Sequence, residues 1–391
     1  MRIGLIAGEY PPLQGGLGDF TRQLALAFAA SGHEPHVLTK CVAGQPAQAV
    51  EHGVSVHRLV ASWGWRTYQR IEGFKATVHL DVLNLQYQAA AYQMHPAINL
   101  LPGALARHLP AFVTFHDLRV PYLFPKAGIL RWKSILIMAK GATACIATNA
   151  EDRDRLLAEG VQSMFLIPIG SNIAPAPLKG FDRATWAQAS GIDPSGMLVG
   201  YFGFMNDSKG GDTLIQAIGQ LRQTGHAAGL LHIGAQTGDS DPTNAAYAAK
   251  LEQLARDLGI ADHIHRTGFL DENGVSAAFA ACDVVALPYR DGASFRRGTL
   301  MAALAHTCAI VTTTPSVSVS ELRDGENVLL VPPDDPPALA AAIARIQADD
   351  GLRRRLQLGA GELSKQFGWD AIARETVNAY ETALRGGRRS W

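Results

Sequence analysis

Short apolar runs recur along the chain, and between them lie segments whose apolar positions repeat with helical spacing. In the first half the runs fall at 2–7 (RIGLIA), 54–60 (VSVHRLV), 81–86 (DVLNLQ), 111–115 (AFVTF), 143–147 (TACIA) and 163–167 (SMFLI). In the second half they fall at 197–202, 230–234, 264–268, 283–288, 309–313 and 328–331. Several are continuously apolar, as expected for strands covered on both faces. Helical spacing follows at 19–30, where Leu17, Phe20, Leu24, Ala27 and Phe28 share a face, at 244–258, and at 336–348 with prolines at its start. Such alternation predicts βαβ units and parallel sheets.

A stretch rich in proline and glycine, IPIGSNIAPAPLKGFD at 167–182, interrupts the pattern with six strands on each side. The expected fold class is therefore α/β: two doubly wound, Rossmann-like domains, 1–175 and 176–391, joined by a hinge near 168–180. Ligands of open parallel sheets bind beyond the carboxyl ends of the strands. A central cleft between two facing sheets is the expected site.

Composition narrows the class of partner. The 391 residues are 47% apolar and 18% charged, enough for sizeable cores and unlike a disordered chain. The 35 basic and 35 acidic side chains cancel, so no basic excess points to nucleic acid. Cys41, Cys145, Cys282 and Cys308 form neither a metal spacing nor a disulfide framework, which predicts buried thiols in a reducing, cytoplasmic setting. MRIGLIAGEYPP reads as a first strand rather than a signal peptide. No run approaches the ~18 residues that cross a membrane.

The chemistry gathers where strands feed helices. After the first strand, GEYPPLQGGLGDF places Gly15, Gly16, Leu17 and Gly18 before a helix. Its backbone N–H groups suit a phosphate or sugar oxygen, or belong to a simple turn. The stretch is not the GxGxxG dinucleotide fingerprint. In VTFHD, His116 and Asp117 stand at a strand's carboxyl end, facing a ligand or serving structure. VGYFGFMNDSKGGDT ends a strand at Gly203 and sets Lys209 beside mobile glycines at a helix start, a place for nucleotide phosphates or a solvated lysine. YRDGASFRRGTLMAALAH carries Asp291, Ser294, Arg296, Arg297, Gly298 and Thr299 into another helix, where guanidinium groups can fork phosphate oxygens. Glu321 could meet ribose or sugar hydroxyls, or cap a helix.

Taken in order, GGLGDFTRQLA, TFHD, FMNDSKGGDTLIQA, GFL, ACDVVALPYRDGASFRRGTLMAALAHTCAIVTT and SELRDGENVLLVPPDD resemble a retaining GT-B glycosyltransferase of the family 4 type. The terminal FGWDAIARETVNAYETAL is similar to that family's last helix, about 366–391, which returns to the first domain. The resemblance implies an N-terminal acceptor domain, a C-terminal nucleotide-sugar domain, no metal or other cofactor, and retention by front-face attack. His116, Lys209 and Arg297 are the implied catalytic groups. Gly16, Leu17, Gly18, Gly203, Lys209, Asp291, Ser294, Arg296, Arg297, Gly298, Thr299 and Glu321 would hold the donor, a nucleotide-diphosphate sugar.

Asp117 and Tyr87 would face the acceptor: a glycan, a lipid-linked saccharide at a membrane face, or a small molecule. Three positions depart from the pattern. Phe204 replaces the usual arginine, and Ser294 and Ala302 replace two glutamates. The absent glutamates keep two rivals open: an epimerase or hydrolase of nucleotide sugars, and a non-catalytic binding protein of the same fold.

Overall fold

The computed structural model describes residues 1–387 except 14, 107, 119–127, 172, 194 and 235–241. Part of the expected hinge at 168–180 and the last four residues of the expected 366–391 helix lie outside the described residues. Two compact units result, Met1–Asn172 with Gly368–Trp391, and Ile173–Phe367.

The first unit holds strands β1 Arg2–Ala7, β2 Glu34–Lys40, β3 Gln48–Glu51, β4 Val54–Val60, β5 Val82–Tyr87, β6 Ala111–Phe115, β7 Ala144–Ala147 and β8 Met164–Leu166. Its helices are α1 Gly16–Ala30, α2 Thr67–Val78, α3 Ala97–Leu105, α4 Gly128–Gly141 and α5 Ala150–Ala158. The strand order is β3-β4-β2-β1-β5-β6-β7-β8, and β3 alone runs antiparallel to its neighbour. Eight strands, rather than the expected six, form this sheet. β2 was hidden because EPHVLTK mixes a proline and four polar side chains with only two large aliphatics, although it pairs directly with β1. β3 is a four-residue edge strand with no fully buried position.

The second unit holds α6 Arg183–Ala189, β9 Met197–Phe202, α7 Gly211–Gln223, β10 Ala228–Ile233, α8 Pro242–Asp257, β11 Ile264–Arg266 and α9 Glu272–Ala281. It continues with β12 Val284–Leu287, α10 Gly298–Ala305, β13 Ile310–Thr313, β14 Leu329–Val331, α11 Pro336–Ala348 and α12 Asp350–Ser364. Its six strands are ordered β11-β10-β9-β12-β13-β14 and all pair in parallel. In both sheets the first strand of the unit lies in the interior, so the loop that follows it emerges at the switch point.

The last helix, α13 Trp369–Gly387, belongs to the first unit. Tyr380 is fully buried, its ring 4.6 Å from Phe112 and its hydroxyl accepting from Asn84 Nδ2 at 2.7 Å. Trp369 donates from Nε1 to the Ser171 carbonyl at 2.7 Å and meets Phe20 edge-on at 5.1 Å.

Candidate active site

In the second unit β9 runs into Gly203, whose φ of 91° lies in the region that favours glycine. A Cβ at Gly203 would lie 2.8 Å from Thr299 Cγ2 and 3.7 Å from Lys209 Nζ, so three well-separated stretches of sequence converge on one point. Buried His232 on β10 fixes the turn from below, donating from Nε2 to the Gly203 carbonyl at 2.8 Å. Lys209 Nζ donates to the Phe204 carbonyl at 2.8 Å, which leaves two ammonium protons for a ligand. Burial first, and the charge of Arg297 second, push the Lys209 pKa down to about 8. The Phe204 side chain is exposed. Gly210, with φ 67°, caps α7, and a Cβ there would fall 2.0 Å from the Pro288 carbonyl oxygen.

The loop after β12 supplies the rest. Tyr289 is fully buried and its hydroxyl lies 2.5 Å from Thr299 Oγ1, which anchors the first turn of α10. Arg297 is the residue that starts this helix, and its guanidinium lies over the Tyr289 ring at 4.9 Å. Arg297 is also ion-paired with Asp291, so these two expected ligands neutralise each other at rest. Ser294 accepts the Arg297 N–H on its carbonyl at 3.0 Å, while Arg296 is half-buried and Gly298 opens α10. Arg290, beside them in sequence, is a structural hub, paired with Asp207 at 2.5 Å, Asp212 at 2.6 Å and Asp334 at 2.9 Å.

One expected donor ligand, Glu321, stands apart from these residues, and Ala302 is buried. Glu321 begins no helix; it sits exposed in a turn, with Oε2 accepting from Ser320 Oγ at 3.0 Å. It lines a groove of about 960 Å³ shared with Arg323, Asn327 and Arg355, and none of Gly203, Lys209, Arg297 or Thr299 lines that groove. Ala302 is fully buried within α10, so a carboxylate there would have no water and no partner ready to receive it.

The glycine loop of the first unit is built differently. α1 starts at Gly16, and Leu17 and Gly18 are buried in its first turn. A Cβ on Gly15 would lie 1.9 Å from Glu9 Oε1, so the Glu9 carboxylate rests on this loop. The N–H groups of Leu17 and Gly18 bind that carboxylate; desolvation outweighs them and holds the Glu9 pKa above its usual value. The helix N-terminus that the sequence offers to a phosphate thus already holds an anion of its own.

His116 is buried at the carboxyl end of β6. Its Nε2 donates to Gln86 Oε1 at 2.9 Å, and Phe20 meets the ring edge-on at 4.5 Å. Burial pushes its pKa down to about 3, so the imidazole stays neutral and keeps an acceptor lone pair on Nδ1. Tyr87, expected to face an acceptor, is a core residue: it is 3% exposed, stacked on Tyr92, and its hydroxyl accepts from Asn99 Nδ2 at 3.3 Å. Asp117 is half-buried; burial lowers the Arg131 pKa, and Tyr87 and then Asp117 oppose that fall.

Sequence reasoning missed Glu9, Gln86, His232 and Tyr289. Only Glu9 carried a signal, a charge just beyond the first strand. Among the described residues, no group of three or more His, Cys, Asp or Glu could hold a metal ion. No helix among them is long and apolar enough to cross a membrane.

Two sheets, parallel but for β3 and each with a glycine turn after its first strand, match the GT-B architecture of similar solved structures. Residues 15–170 match the family described as "Glycosyl transferase 4-like domain", and residues 196–349 match "Glycosyl transferases group 1". The fold is thus the GT-B fold, and each half of the chain is similar to one glycosyltransferase domain model.

Similar curated proteins include a phosphatidyl-myo-inositol mannosyltransferase of Mycolicibacterium smegmatis, 27% identical over 99% of this chain and 95% of the relative. A D-inositol 3-phosphate glycosyltransferase of Xylanimonas cellulosilytica is 28% identical over 67% of this chain and 61% of the relative. Among solved structures, sucrose-phosphate synthase from Thermosynechococcus elongatus shares the fold with a TM-score of 0.74, at 21% identity, over 99% of this chain and 100% of that one. Anabaena HepE in complex with UDP follows at 0.73 and 16%, over 98% and 100%.

Proposed function

We propose that the chain transfers a hexosyl group from a nucleotide-diphosphate sugar to a hydroxyl acceptor, with retention of anomeric configuration and without a metal or other cofactor. The observation that carries this reading is the meeting of Lys209, Gly203 and Thr299 at the start of α10 beside Arg297. A lysine whose proton is loosened by burial and then by a neighbouring guanidinium is a site waiting for negative charge. A diphosphate would restore its proton affinity, draw Arg297 from Asp291, and take N–H groups of the α10 first turn. The same groups would stabilise the departing diphosphate as its charge grows.

On the acceptor side, neutral His116 offers Nδ1 to a sugar hydroxyl, and the Gly16–Gly18 backbone lines the approach. Solved neighbours of the same fold carry UDP and UDP-glucose, which supports a nucleotide sugar as donor. The named relatives act on inositol-bearing compounds, one of them a lipid, which supports a polyol, glycan or lipid-linked acceptor.

A thermal-shift panel of UDP, GDP, ADP and TDP tests the donor site in wild type and Lys209→Ala. Saturation at ~100 times the dissociation constant adds about 2.7 kcal/mol, a rise of roughly 5 to 10 °C. One base should shift the wild type and leave the variant unmoved. No shift with any of the four would sink the reading. The buried Ala302 and the absent second carboxylate favour one alternative, a binding protein that holds the nucleotide without turnover. A radiolabelled-sugar transfer assay with the selected nucleotide decides between them.

A further inference from the structure

Gln86 lies near the carboxyl end of β5 and is fully buried. Its backbone is held between Ala7 of β1 and Thr114 of β6, and its carbonyl accepts from the Tyr92 hydroxyl at 2.7 Å. In the side chain, Oε1 takes the His116 Nε2–H at 2.9 Å, while Nε2 has no hydrogen-bond partner among the described residues. A buried amide left half unpaired is costly, and a methionine of similar length would pack here without that cost. The bond to His116 is what this amide adds. His116 is fixed in turn: its N–H donates to the Tyr87 carbonyl at 3.1 Å, and its carbonyl accepts from Thr148 Oγ1 at 3.3 Å. Burial alone keeps the ring neutral, with no charged side chain among the described residues acting on it. The ring is 9% exposed, and Nδ1 has no partner among the described residues. A neutral imidazole has one N–H and one lone pair, so the bond made by one nitrogen sets the role of the other.

We propose that Gln86 is a positioning residue for His116: Oε1 holds the ring proton on Nε2, so that Nδ1 meets the substrate as an acceptor and takes a hydroxyl there. A carboxylate or phosphate oxygen has no proton to give such a nitrogen and is refused at that point. The inference rests on the transferase reading for its substrate and goes beyond it in naming the residue that sets the histidine's role. The opposite orientation of the amide, with Nε2 donating to the ring, would send the proton to Nδ1 and turn His116 into a donor. The two arrangements differ at one observable proton.

Long-range proton–nitrogen NMR spectra of the full chain, with isotope-labelled histidine rings, read that proton directly. The His116 signal is the one lost in His116→Asn. At pH 7 the wild type should carry the proton on Nε2. Gln86→Met leaves that N–H against apolar atoms, so the proton should move to Nδ1, the nitrogen at which the ring has no protein partner. Gln86 lies in the first unit and Lys209 in the second, so the variant should keep the wild-type thermal shift with nucleotide. Its kcat for transfer should fall about tenfold or more, as when a placed proton acceptor is lost.

Three results would overturn the proposal: a wild-type proton on Nδ1, a proton that stays on Nε2 in Gln86→Met, or a wild-type kcat in that variant. The first needs no variant, so it stays decisive even where Gln86→Met does not fold. The tautomer is read without turnover. A wild type with its proton on Nε2 and no transfer from any nucleotide sugar would therefore sink the transferase reading and leave the hold of Gln86 on His116 in place.

Discussion

The two units open their first strand into the same kind of turn and fill it with opposite charge. After β1, the loop ending at Gly15–Gly18 receives Glu9, a carboxylate from its own chain. After β9, the loop of Gly203 and Gly210 receives Lys209, whose proton burial and then Arg297 loosen. Both are glycine-rich, and both precede a helix. The charge delivered by a neighbouring side chain decides which loop is open to a phosphate.

Gly210 is the place where this contrast breaks hardest. An alanine there must adopt a left-handed φ and collide with a backbone carbonyl that cannot move aside. Gly210→Ala is expected to cost about 3 kcal/mol or more, read as a fall in the midpoint of thermal unfolding. A loss under 1 kcal/mol would show that the turn yields and that Lys209 is not rigidly placed.

Next comes the proton on Lys209. Because the free site holds its pKa near 8, diphosphate affinity should be level below pH 7 and fall as pH rises through 8. By pH 9 the competent ammonium form is about a tenth of the population, so affinity drops about tenfold. Titration calorimetry from pH 6.5 to 9.5 follows this, and Lys209→Arg should flatten the profile. A flat wild-type profile would place the diphosphate elsewhere.

The smallest effect tests the other loop. Gly15→Ala meets only the end of a flexible side chain, so it should displace Glu9 and cost about 1 kcal/mol, as loss of a helix cap does. Glu9→Ala should cost about as much, and the double variant little more than either. Urea unfolding of all four proteins should give a coupling near 1 kcal/mol. Additive losses would mean that Glu9 does not rest on the loop.

Much of the architecture could be read from the chain, because buried parallel strands announce themselves as continuous apolar runs. β2 escaped because it supplies only Val37 and Leu38 as large aliphatics, yet the fold seats it beside β1 all the same. The residues proposed for the phosphates stand out in the sequence only through spacing: a lysine before two glycines, arginines at a helix start. What spacing could not show was orientation. Arg290 and Arg297 lie seven positions apart in one loop, and only the fold sends the first to three aspartates and the second toward Tyr289. Tyr87 reads as a polar-loop aromatic, but the pairing of β5 with both β1 and β6 carries it into the core. Glu9 and Gly15 meet only when the loop between them turns back, and no periodicity encodes that.

The return of α13 to the first unit has a consequence for how the protein is made. Tyr380 closes a core around Phe112 and Asn84 that was translated long before. The ribosome must therefore produce all of Ile173–Phe367 while that core stays open. At 5–20 residues per second this is a wait of roughly 10 to 40 s. During that interval the Phe112 and Asn84 surface that Tyr380 later covers lacks its partner.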